Sequence, residues 1–443
     1  MSPWKMVDPL MRRQGEKVLR HLLENGYQAY FVGGCVRDEL MGRPVHDMDI
    51  ATSAKPEEVI GLFERTVPTG IQHGTITVLL EDHAFEVTTF RKEAEYEDHR
   101  RPTSVEFVEG IVEDLRRRDF TMNAIAGDVG GELIDPFGGQ ADIKAKVIRC
   151  VGSAPDRFDE DALRMMRGIR FASVFAFRPV KSLWSALRSG RSKISFIAIE
   201  RIRVELEKMV LGPDPVRGLA LLQRSGLLEY VKAPVPEAAL TSLPSGEQLS
   251  LLNAIEQVKP DAPEIKWSLL LQALDVSGEE ATGLMKAWTF SNAVGKGTAD
   301  LIRFDEAWNQ ARSELNHEGP EMLRRKWIEV QLAFGKAVAA GWIERQNILL
   351  HADVKNSPSL DNLAAHLFEQ EEAKWHGEPV VNTLQELAIT GGDVMRVSSK
   401  KGGPWLGELM NTMLLKVAAG DWPNDRDALL EQAKVVVNEH GAS

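Results

Sequence analysis

Two aspartates separated by one residue, Asp47 and Asp49, follow the glycine pair Gly33-Gly34 and constrain this chain more than any other feature. The residues from His46 to Ala51 alternate in a way that predicts a β-strand, and the period of two places both carboxylates on one face. Two neighbouring carboxylates suffice to hold Mg²⁺ when substrate phosphates complete its coordination shell. A glycine turn between a strand and a helix is typical of a phosphate site, so the pattern predicts metal-assisted phosphoryl transfer.

The composition is that expected of a cytoplasmic enzyme. A chain of 443 residues exceeds one ordinary core, so two to four domains are expected. The first seventeen residues carry charges and no apolar signal-peptide core, and no later run is long and apolar enough to span a bilayer. Cys35 and Cys150 are too few for a disulfide framework and lack the spacing of metal ligands.

Charge is unevenly distributed along the chain. The formal net charge is −12, yet the residues from Asp161 to Val210 contain eleven Lys or Arg against four acids. A basic stretch within an acidic protein indicates a local surface for polyphosphate or RNA. A solvated helix face is the alternative that charge alone leaves open.

The first 150 residues are predicted to be α/β and the remainder almost wholly helical, which makes the fold class α+β with a small mixed sheet. Turn signals at Gly212-Pro213 and in the proline-rich Ala233 to Pro244 mark boundaries. The N-terminal elements are predicted as helices over Pro9 to Glu24, Cys35 to Met41 and Pro56 to Phe63, and strands over Tyr27 to Val32, His46 to Ala51, Thr75 to Leu80 and Ala84 to Phe90.

Six motifs between Tyr30 and about Lys208 carry a family resemblance. In order, they are Phe31-Val32-Gly33-Gly34-Cys35-Val36-Arg37-Asp38, His46-Asp47-Met48-Asp49-Ile50-Ala51-Thr52-Ser53-Ala54, Phe85-Glu86-Val87-Thr88-Thr89-Phe90-Arg91, Arg117-Arg118-Asp119-Phe120-Thr121-Met122-Asn123-Ala124, Ile134-Asp135-Pro136-Phe137-Gly138-Gly139 and Glu160-Asp161-Ala162-Leu163-Arg164-Met165-Met166-Arg167. Together they resemble the bacterial tRNA nucleotidyltransferases that add CCA, class II of the DNA polymerase β superfamily.

The resemblance implies a division into four parts. It predicts a catalytic nucleotidyltransferase head over residues 1–150 and a helical neck over 151–212 that recognises the nucleotide base. A helical body over 213–330 and a helical tail over 331–443 that binds tRNA follow. From about Leu219 onward the similarity thins to landmarks such as Ile389-Thr390-Gly391-Gly392-Asp393-Val394.

The head motifs predict a triphosphate site. Gly33 and Gly34 let the backbone approach a triphosphate, and Arg37, one helical turn on, can pair with the same phosphates. Glu86 lies on the strand expected beside the aspartates, where a third carboxylate could orient the metal or accept the primer's proton. By resemblance Arg118 contacts the nucleotide, with Asp119 expected to buttress its guanidinium and Asn123 to act likewise.

The neck motif predicts the base reader. Asp161 and Arg164, three apart, would project as neighbours from one helix face. A carboxylate accepting from the exocyclic amine and a guanidinium donating to the adjacent ring nitrogen fit cytosine and adenine, whereas uracil and guanine present the reversed pattern. An ordinary intrahelical ion pair is the alternative from spacing alone. Glu160, Arg167 and Arg170 are assigned to the nucleotide by resemblance, the two arginines near its phosphates.

The resemblance therefore implies addition of CCA to the 3′ end of tRNA from CTP and ATP with Mg²⁺, and release of pyrophosphate. An enzyme that adds only the terminal A shares nearly all these motifs, and a bacterial poly(A) polymerase is a weaker alternative. By resemblance, an enzyme that adds only CC lacks a flexible segment after the Glu86 strand. The corresponding segment, Lys92 to Ser104, is present in this chain, so an enzyme that adds only CC is disfavoured. His46-Asp47 could also belong to a metal phosphohydrolase, but no second His/Asp set of the right kind follows in this sequence. The presence of both Asp47 and Asp49 argues against a non-catalytic RNA-binding module. The oligomeric state is left open.

Overall fold

A computed structural model describes residues 4–93, 96–97, 101–102, 105–241, 247–315, 319–356, 371–398 and 402–439. It divides into two compact units, Met1–Val235 and Pro236–Ser443. The four-part division into head, neck, body and tail stays a prediction at this level. Within the described residues, no helix has both the length and the apolar character needed to cross a bilayer.

Unit 1 is built on a seven-stranded mixed sheet. The strands of unit 1 are β1 Ala29–Val32, β2 Asp49–Thr52, β3 Thr66–Gly70, β4 Thr75–Leu80, β5 His83–Thr89, β6 Arg91–Glu93, β7 Tyr96–Glu97, β8 Arg101–Pro102, β9 Val105–Phe107, β10 Ala126–Gly127, β11 Leu133–Ile134, β12 Val147–Ile148 and β13 Arg178–Pro179. The strand order in the seven-stranded sheet is β11-β10-β1-β2-β5-β4-β3. β1 and β2 run antiparallel, whereas β2 and β5 run parallel. The predicted hairpin is present, with β4 antiparallel to β5.

The helices of unit 1 cover the sheet and continue beyond it. They are α1 Pro9–Glu24, α2 Gly34–Leu40, α3 Pro56–Leu62, α4 Ile111–Arg116, α5 Gly139–Ala145, α6 Ala154–Glu160, α7 Leu163–Val174, α8 Lys181–Gly190, α9 Ile199–Val210 and α10 Pro215–Ser225. The predicted first helix is confirmed, with the Asp8 side chain accepting hydrogen bonds from the backbone N–H of Leu10 and Met11.

One strand differs from its prediction in a way that matters for the site. β2 begins at Asp49 rather than His46, because its partner β1 ends at Val32, opposite Asp49, where the chain turns away at Gly33. Asp47 therefore lies in the loop before the strand. The alternation of exposure still extends through the loop, since Met48 is buried between the two aspartates.

The two faces of the sheet have different partners. Ile50 and Val87 pack in the larger core with residues of α1 and α3. Val32 and Ala51 face the other way and pack against Leu115 of α4. Asp49 alternates with Ile50, so its side chain lies on the face that α4 covers.

Unit 2 is helical in the residues that the structure describes, which confirms the predicted class. Its helices are α11 Glu237–Thr241, α12 Glu247–Ala254, α13 Pro263–Ala273, α14 Gly278–Ala287, α15 Asn292–Glu314, α16 Pro320–Phe334, α17 Lys336–Asn356, α18 over 371–377, α19 Gly391–Ser398, α20 Pro404–Ala418 and α21 Arg426–Glu439. Its core contains a cluster of tryptophans, in which Trp327 contacts Trp308 and Trp342 with ring centroids 5.1 and 5.5 Å apart.

Candidate active site

Three carboxylates converge near the start of β2. Asp49 opens the strand, Asp47 is exposed just before it, and Glu86 is exposed on the adjacent β5. Burial, together with repulsion from Asp47 and Glu86, raises the pKa of Asp49 to about 6, although the charge of Arg118 opposes the shift. Such an accumulation of negative charge favours a bound cation.

The carboxylates fit a divalent ion that the substrate helps to coordinate. In the part of the chain that the structure describes, no group of three or more His, Cys, Asp or Glu side chains is arranged to hold a metal ion. Asp47 and Asp49 would therefore supply two ligands, with phosphate oxygens and water completing the shell. This is the arrangement expected when the metal arrives with a nucleoside triphosphate.

The glycine turn brings the backbone close to an arginine. Gly33 has φ of +74°, which L side chains rarely adopt, and a Cβ there would lie 3.0 Å from Nη1 of Arg118 and 3.9 Å from Oδ2 of Asp49. Glycine at position 33 thus lets the turn, the arginine and the aspartate share one small space. Gly34 follows as the first residue of α2.

Arg37 is placed at this turn with its guanidinium already held. Its Nε and Nη2 donate to Asp38 at 3.0 and 2.8 Å, and its Nη1 donates to Oδ1 of Asn123 at 2.7 Å. The guanidinium also lies 4.7 Å from the ring centroid of Phe175. Any contact with phosphate uses the N–H groups that remain.

The expected pairing of Asp119 with Arg118 is wrong. Arg118 instead donates to Asp114, four residues earlier, through Nη2 at 3.2 Å. Asp119 accepts from Nε of Arg167 at 2.8 Å and from Asn123 at 3.0 Å. The chain turns after α4, so consecutive side chains diverge, Arg118 back toward α4 and Asp119 toward α7.

The pairing of Asp119 keeps it ionised in a buried position. Burial alone would raise the pKa of its carboxyl, but Arg167 and Asn123 outweigh burial and lower the pKa to about 2. Arg170, one turn further along α7, donates to Glu205 of α9 at 2.5 Å. These ion pairs join the sheet domain to α7 and α9 within unit 1.

Asp161 and Arg164 do not lie on the same helix, so the expectation that they project as neighbours from one helix face is wrong. α6 ends at Glu160, Asp161 is extended with φ of −140°, and α7 begins at Leu163. Asp161 accepts from the backbone N–H of Leu163 at 3.0 Å and from Nη2 of Arg201 at 2.7 Å. The break aims Asp161 from the helix junction rather than from a helix face.

Arg164 is buried in the first turn of α7 and is held by several acceptors. It donates to Glu160, and to the carbonyl oxygens of Arg157 and Arg117, each at 3.1 Å. Two backbone carbonyls fix the plane of a guanidinium more rigidly than a mobile carboxylate could. Glu160 thus acts on Arg164 and also pairs with Arg157.

A cavity of about 480 Å³ in unit 1 gathers most of the predicted site. It is lined by Gly33, Gly34, Arg37, Asp49, Arg117, Arg118, Asp119, Asn123, Asp161, Arg164, Arg167, Arg170 and Phe171. Of the predicted residues, Asp47, Glu86 and Glu160 are not among those lining it. Their assigned roles, like those of the lining residues, stay predictions.

Sequence reasoning missed two lining residues. Arg117 had a signal, since it belongs to the basic run before Asp119. Phe171 reads as a core position of α7, yet its ring lies 4.0 Å from the guanidinium of Arg170 and 5.4 Å from that of Arg37. No periodicity distinguishes an aromatic ring that orders arginines from one that only fills a core.

Three family models match separate stretches of the chain. The model of the "Poly A polymerase head domain" family matches residues 29–149. The model "Probable RNA and SrmB- binding site of polymerase A" matches residues 176–240, and the model "tRNA nucleotidyltransferase domain 2 putative" matches residues 347–433.

The relatives share nearly the whole length. The CCA-adding enzyme of Lactiplantibacillus plantarum is 38% identical over 93% of both chains, and that of Anoxybacillus flavithermus is 39% identical over 95% of this chain and 96% of its own. The structure of the Bacillus stearothermophilus CCA-adding enzyme in complex with CTP matches with a TM-score of 0.77 and 32% identity, covering 98% of this chain and 99% of that one. The chain therefore belongs to the family of CCA-adding enzymes, the tRNA nucleotidyltransferases.

Proposed function

We propose that this chain adds the sequence CCA to the 3′ end of tRNA, using CTP and ATP and releasing pyrophosphate. The observation that carries the proposal is one cavity with two groups of lining residues. Asp49, the glycine turn, Arg167 and Arg170 line it together with Asp161 and Arg164. Its lining combines cationic groups for a triphosphate with a carboxylate and a guanidinium for a base edge. A cytoplasmic location suits these substrates.

The chain's own residues divide the work of nucleotidyl transfer. Asp47 and Asp49 would hold Mg²⁺, which when bound activates the 3′-hydroxyl and neutralises phosphate charge. Glu86, exposed beside Asp49, is placed to accept a proton or to orient the metal ligands. Arg118 and Arg37 face the same cavity and stabilise the charge of the triphosphate and the departing pyrophosphate.

Selection of the base belongs to the junction of α6 and α7. Asp161 accepts from the exocyclic amine of cytosine or adenine, and Arg164 donates to the adjacent ring nitrogen. The carbonyl contacts of Arg164 and the Arg201 contact of Asp161 keep both groups in place without substrate. A rigid reader suits an enzyme that selects two bases without a nucleic-acid template.

A direct assay distinguishes CCA addition from the alternative activities, addition of the terminal A alone and synthesis of poly(A). The protein is incubated with tRNA lacking all, one or two of the terminal nucleotides, and CTP, ATP, UTP and GTP are offered separately and as the CTP and ATP pair. A CCA-adding enzyme extends tRNA lacking all three by two residues with CTP, completes it with ATP, and ignores UTP and GTP. Extension only of tRNA already ending in CC would indicate a terminal-A enzyme, and long products with ATP alone a poly(A) polymerase.

A further inference from the structure

A fully buried carboxylate next to the cavity has no part in the proposed reaction. Asp114 lies in α4 with a side chain that is 0% exposed, and it does not line the cavity. Its Oδ1 accepts from Nε of Arg117 at 2.9 Å, and its Oδ2 accepts from Nη2 of Arg118 at 3.2 Å. Burial raises the pKa of Asp114, but the two guanidiniums outweigh it and hold the pKa below its usual value, so the group is ionised at neutral pH.

Arg117 and Arg118 both line the cavity, and Arg118 is the one that lies against the glycine turn and Asp49. Its Nη1 lies against Gly33, and its charge lowers the pKa of Asp49. Its Nε is buried and has no hydrogen-bond partner within the described part of the chain. A buried donor without an acceptor is destabilising, so a ligand oxygen in the cavity that accepted from this Nε would relieve that cost.

Asp114 also touches the base of the ribbon formed by β6 and β9. Its Oδ1 accepts from the backbone N–H of Arg91 at 3.4 Å, and Arg91 is the first residue of β6. β6 pairs with β9, and the two strands bracket most of the segment from Lys92 to Ser104. One carboxylate is thus shared between the ribbon and the arginine that faces the nucleotide.

We propose that Asp114 is a positioning residue for the nucleotide, which fixes the fork of Arg118 in the cavity and ties it to the base of the β6–β9 ribbon. The inference rests on the proposed function, since it takes the cavity to hold a nucleoside triphosphate. An asparagine at 114 keeps the shape of the carboxylate but presents an amide donor to one of the two guanidiniums. Arg118 then loses its fixed orientation although it still carries its charge.

The experiment measures binding of CTP and of ATP in the absence of tRNA by calorimetry. Wild type is compared with Asp114→Asn, Arg118→Ala and the double variant. The matched control is Asp305→Asn, which alters another buried carboxylate paired with an arginine, Arg345, in unit 2. We expect Asp114→Asn to raise the Kd for both nucleotides about tenfold, which corresponds to about 1.4 kcal/mol, because Arg118 loses the charged acceptor that fixes its orientation.

The double variant tests the route of the effect. If Asp114 acts through Arg118, the double variant binds nucleotide no more weakly than Arg118→Ala alone. Asp305→Asn should lower the melting temperature while leaving the Kd unchanged. A Kd of Asp114→Asn equal to that of wild type, or losses that add in the double variant, would overturn the proposal.

Two further measurements keep the outcome unambiguous. If Asp114→Asn is unfolded at the assay temperature, the Arg118→Lys variant is measured in its place. A lysine ammonium keeps the charge but lacks the planar fork that donates to Asp114 on one side and faces the cavity on the other. The same tenfold rise in Kd is expected. An unchanged Kd in that variant also overturns the proposal. Failure of the wild type to extend tRNA with CTP and ATP would instead refute the proposed function, because the binding measurement contains no tRNA.

Discussion

The two aspartates at the start of β2 hold positions that suit chemistry more than packing. Asp47 is exposed and Asp49 is partly exposed, with Met48 as the core residue between them. We expect Asp47→Ala or Asp49→Ala to abolish incorporation of both CMP and AMP while melting temperature and tRNA binding stay close to wild type. Single-turnover incorporation with CTP and with ATP measures the loss. Near-normal turnover in either variant would show that the metal ligands lie elsewhere.

The junction of α6 and α7 predicts how base selection fails. Arg164→Ala removes the donor to the ring nitrogen and should lower discrimination of CTP over UTP and of ATP over GTP by about 1–3 kcal/mol. Asp161→Ala should have a related effect, and the double variant should be less than additive because both groups serve one base. The measured quantities are the ratios of kcat/KM in single-step reactions.

A control is needed because Arg164 also holds two backbone carbonyls. Arg203→Ala removes an arginine of α9 that pairs with Glu207, on its own helix. It should leave the nucleotide ratios unchanged. Unchanged ratios in Arg164→Ala together with a lower melting temperature would make Arg164 a structural residue and move the reading of the base elsewhere.

At single positions, residue types and order in the motifs predicted most of the cavity lining but not the pairing within it. Asp161 and Arg164 were expected on one helix because their spacing fits a helical turn, whereas α6 ends at Glu160, before Asp161, and α7 begins only at Leu163. Asp119 was expected to hold Arg118, whereas the carboxylate that Arg118 contacts is that of Asp114, four residues before Arg118. Pairing depends on where the backbone turns, and an isolated motif does not contain that information.

Among the elements, those with a clear period and local caps could be predicted from sequence. α1 has its Asp8 cap and Pro9 start, and β4 and β5 form the expected hairpin. β12 and β13 could not, because each has two residues and exists only through a partner distant in sequence, as Val147 pairs with Arg178. The start of β2 likewise depends on the length of β1.

The segment from Lys92 to Ser104 supports a prediction at the scale of an element. Its described residues belong to β6 and to the β7–β8 pair, and β6 pairs with β9 just beyond it, while Ala94, Glu95, residues 98–100, Thr103 and Ser104 lie outside the described residues. Removing residues 94–104 and joining the strands with a short Gly-Ser turn should spare addition of the two cytidines and impair the final A at least tenfold, because the family resemblance assigns this segment to the change of specificity.

The test compares CMP addition to tRNA lacking CCA with AMP addition to tRNA ending in CC. A variant with residues 94–104 replaced by a Gly-Ser segment of equal length separates the role of the residues from that of chain length. If CMP and AMP addition fall equally, the segment serves the fold of the ribbon rather than selectivity.

On the scale of the whole molecule, the tryptophans are unevenly distributed between the two compact units, and so is the tryptophan fluorescence. Trp4 and Trp184 belong to unit 1, and the other tryptophans, most of them buried, belong to unit 2. The sequence could predict helices for unit 2 because their apolar periodicity is local. It could not predict how Trp308, Trp327 and Trp342 meet, since these contacts join helices far apart in the chain. Tryptophan fluorescence therefore reports mainly on unit 2.

Glu372 makes the stability of unit 2 depend on pH. Its side chain is 1% exposed, Oε1 accepts from Nε1 of Trp308 at 2.7 Å, and Oε2 is buried without a partner among the described residues. Burial raises its pKa above the usual 4.5, although Trp308 and Arg312 oppose the shift. Below pH 4.5 the group is protonated in both folded and unfolded chains. As pH rises toward the folded-state pKa, the unfolded chain ionises first, so wild type loses stability.

Glu372→Gln should remove this loss, because a neutral amide in the same place costs less than a buried carboxylate. We expect its melting temperature, followed by tryptophan fluorescence, to exceed that of wild type at pH 8 and to approach it near pH 4.5. The free-energy difference should grow by about 1.4 kcal/mol for each pH unit between the two pKa values. Glu371→Gln, which alters a half-exposed pair with Lys374 on the same helix, is the matched control and should show no such trend. If the Glu372→Gln variant is instead less stable than wild type at pH 8, the hydrogen bond from Trp308 requires the ionised carboxylate, and the charge stabilises the tryptophan core.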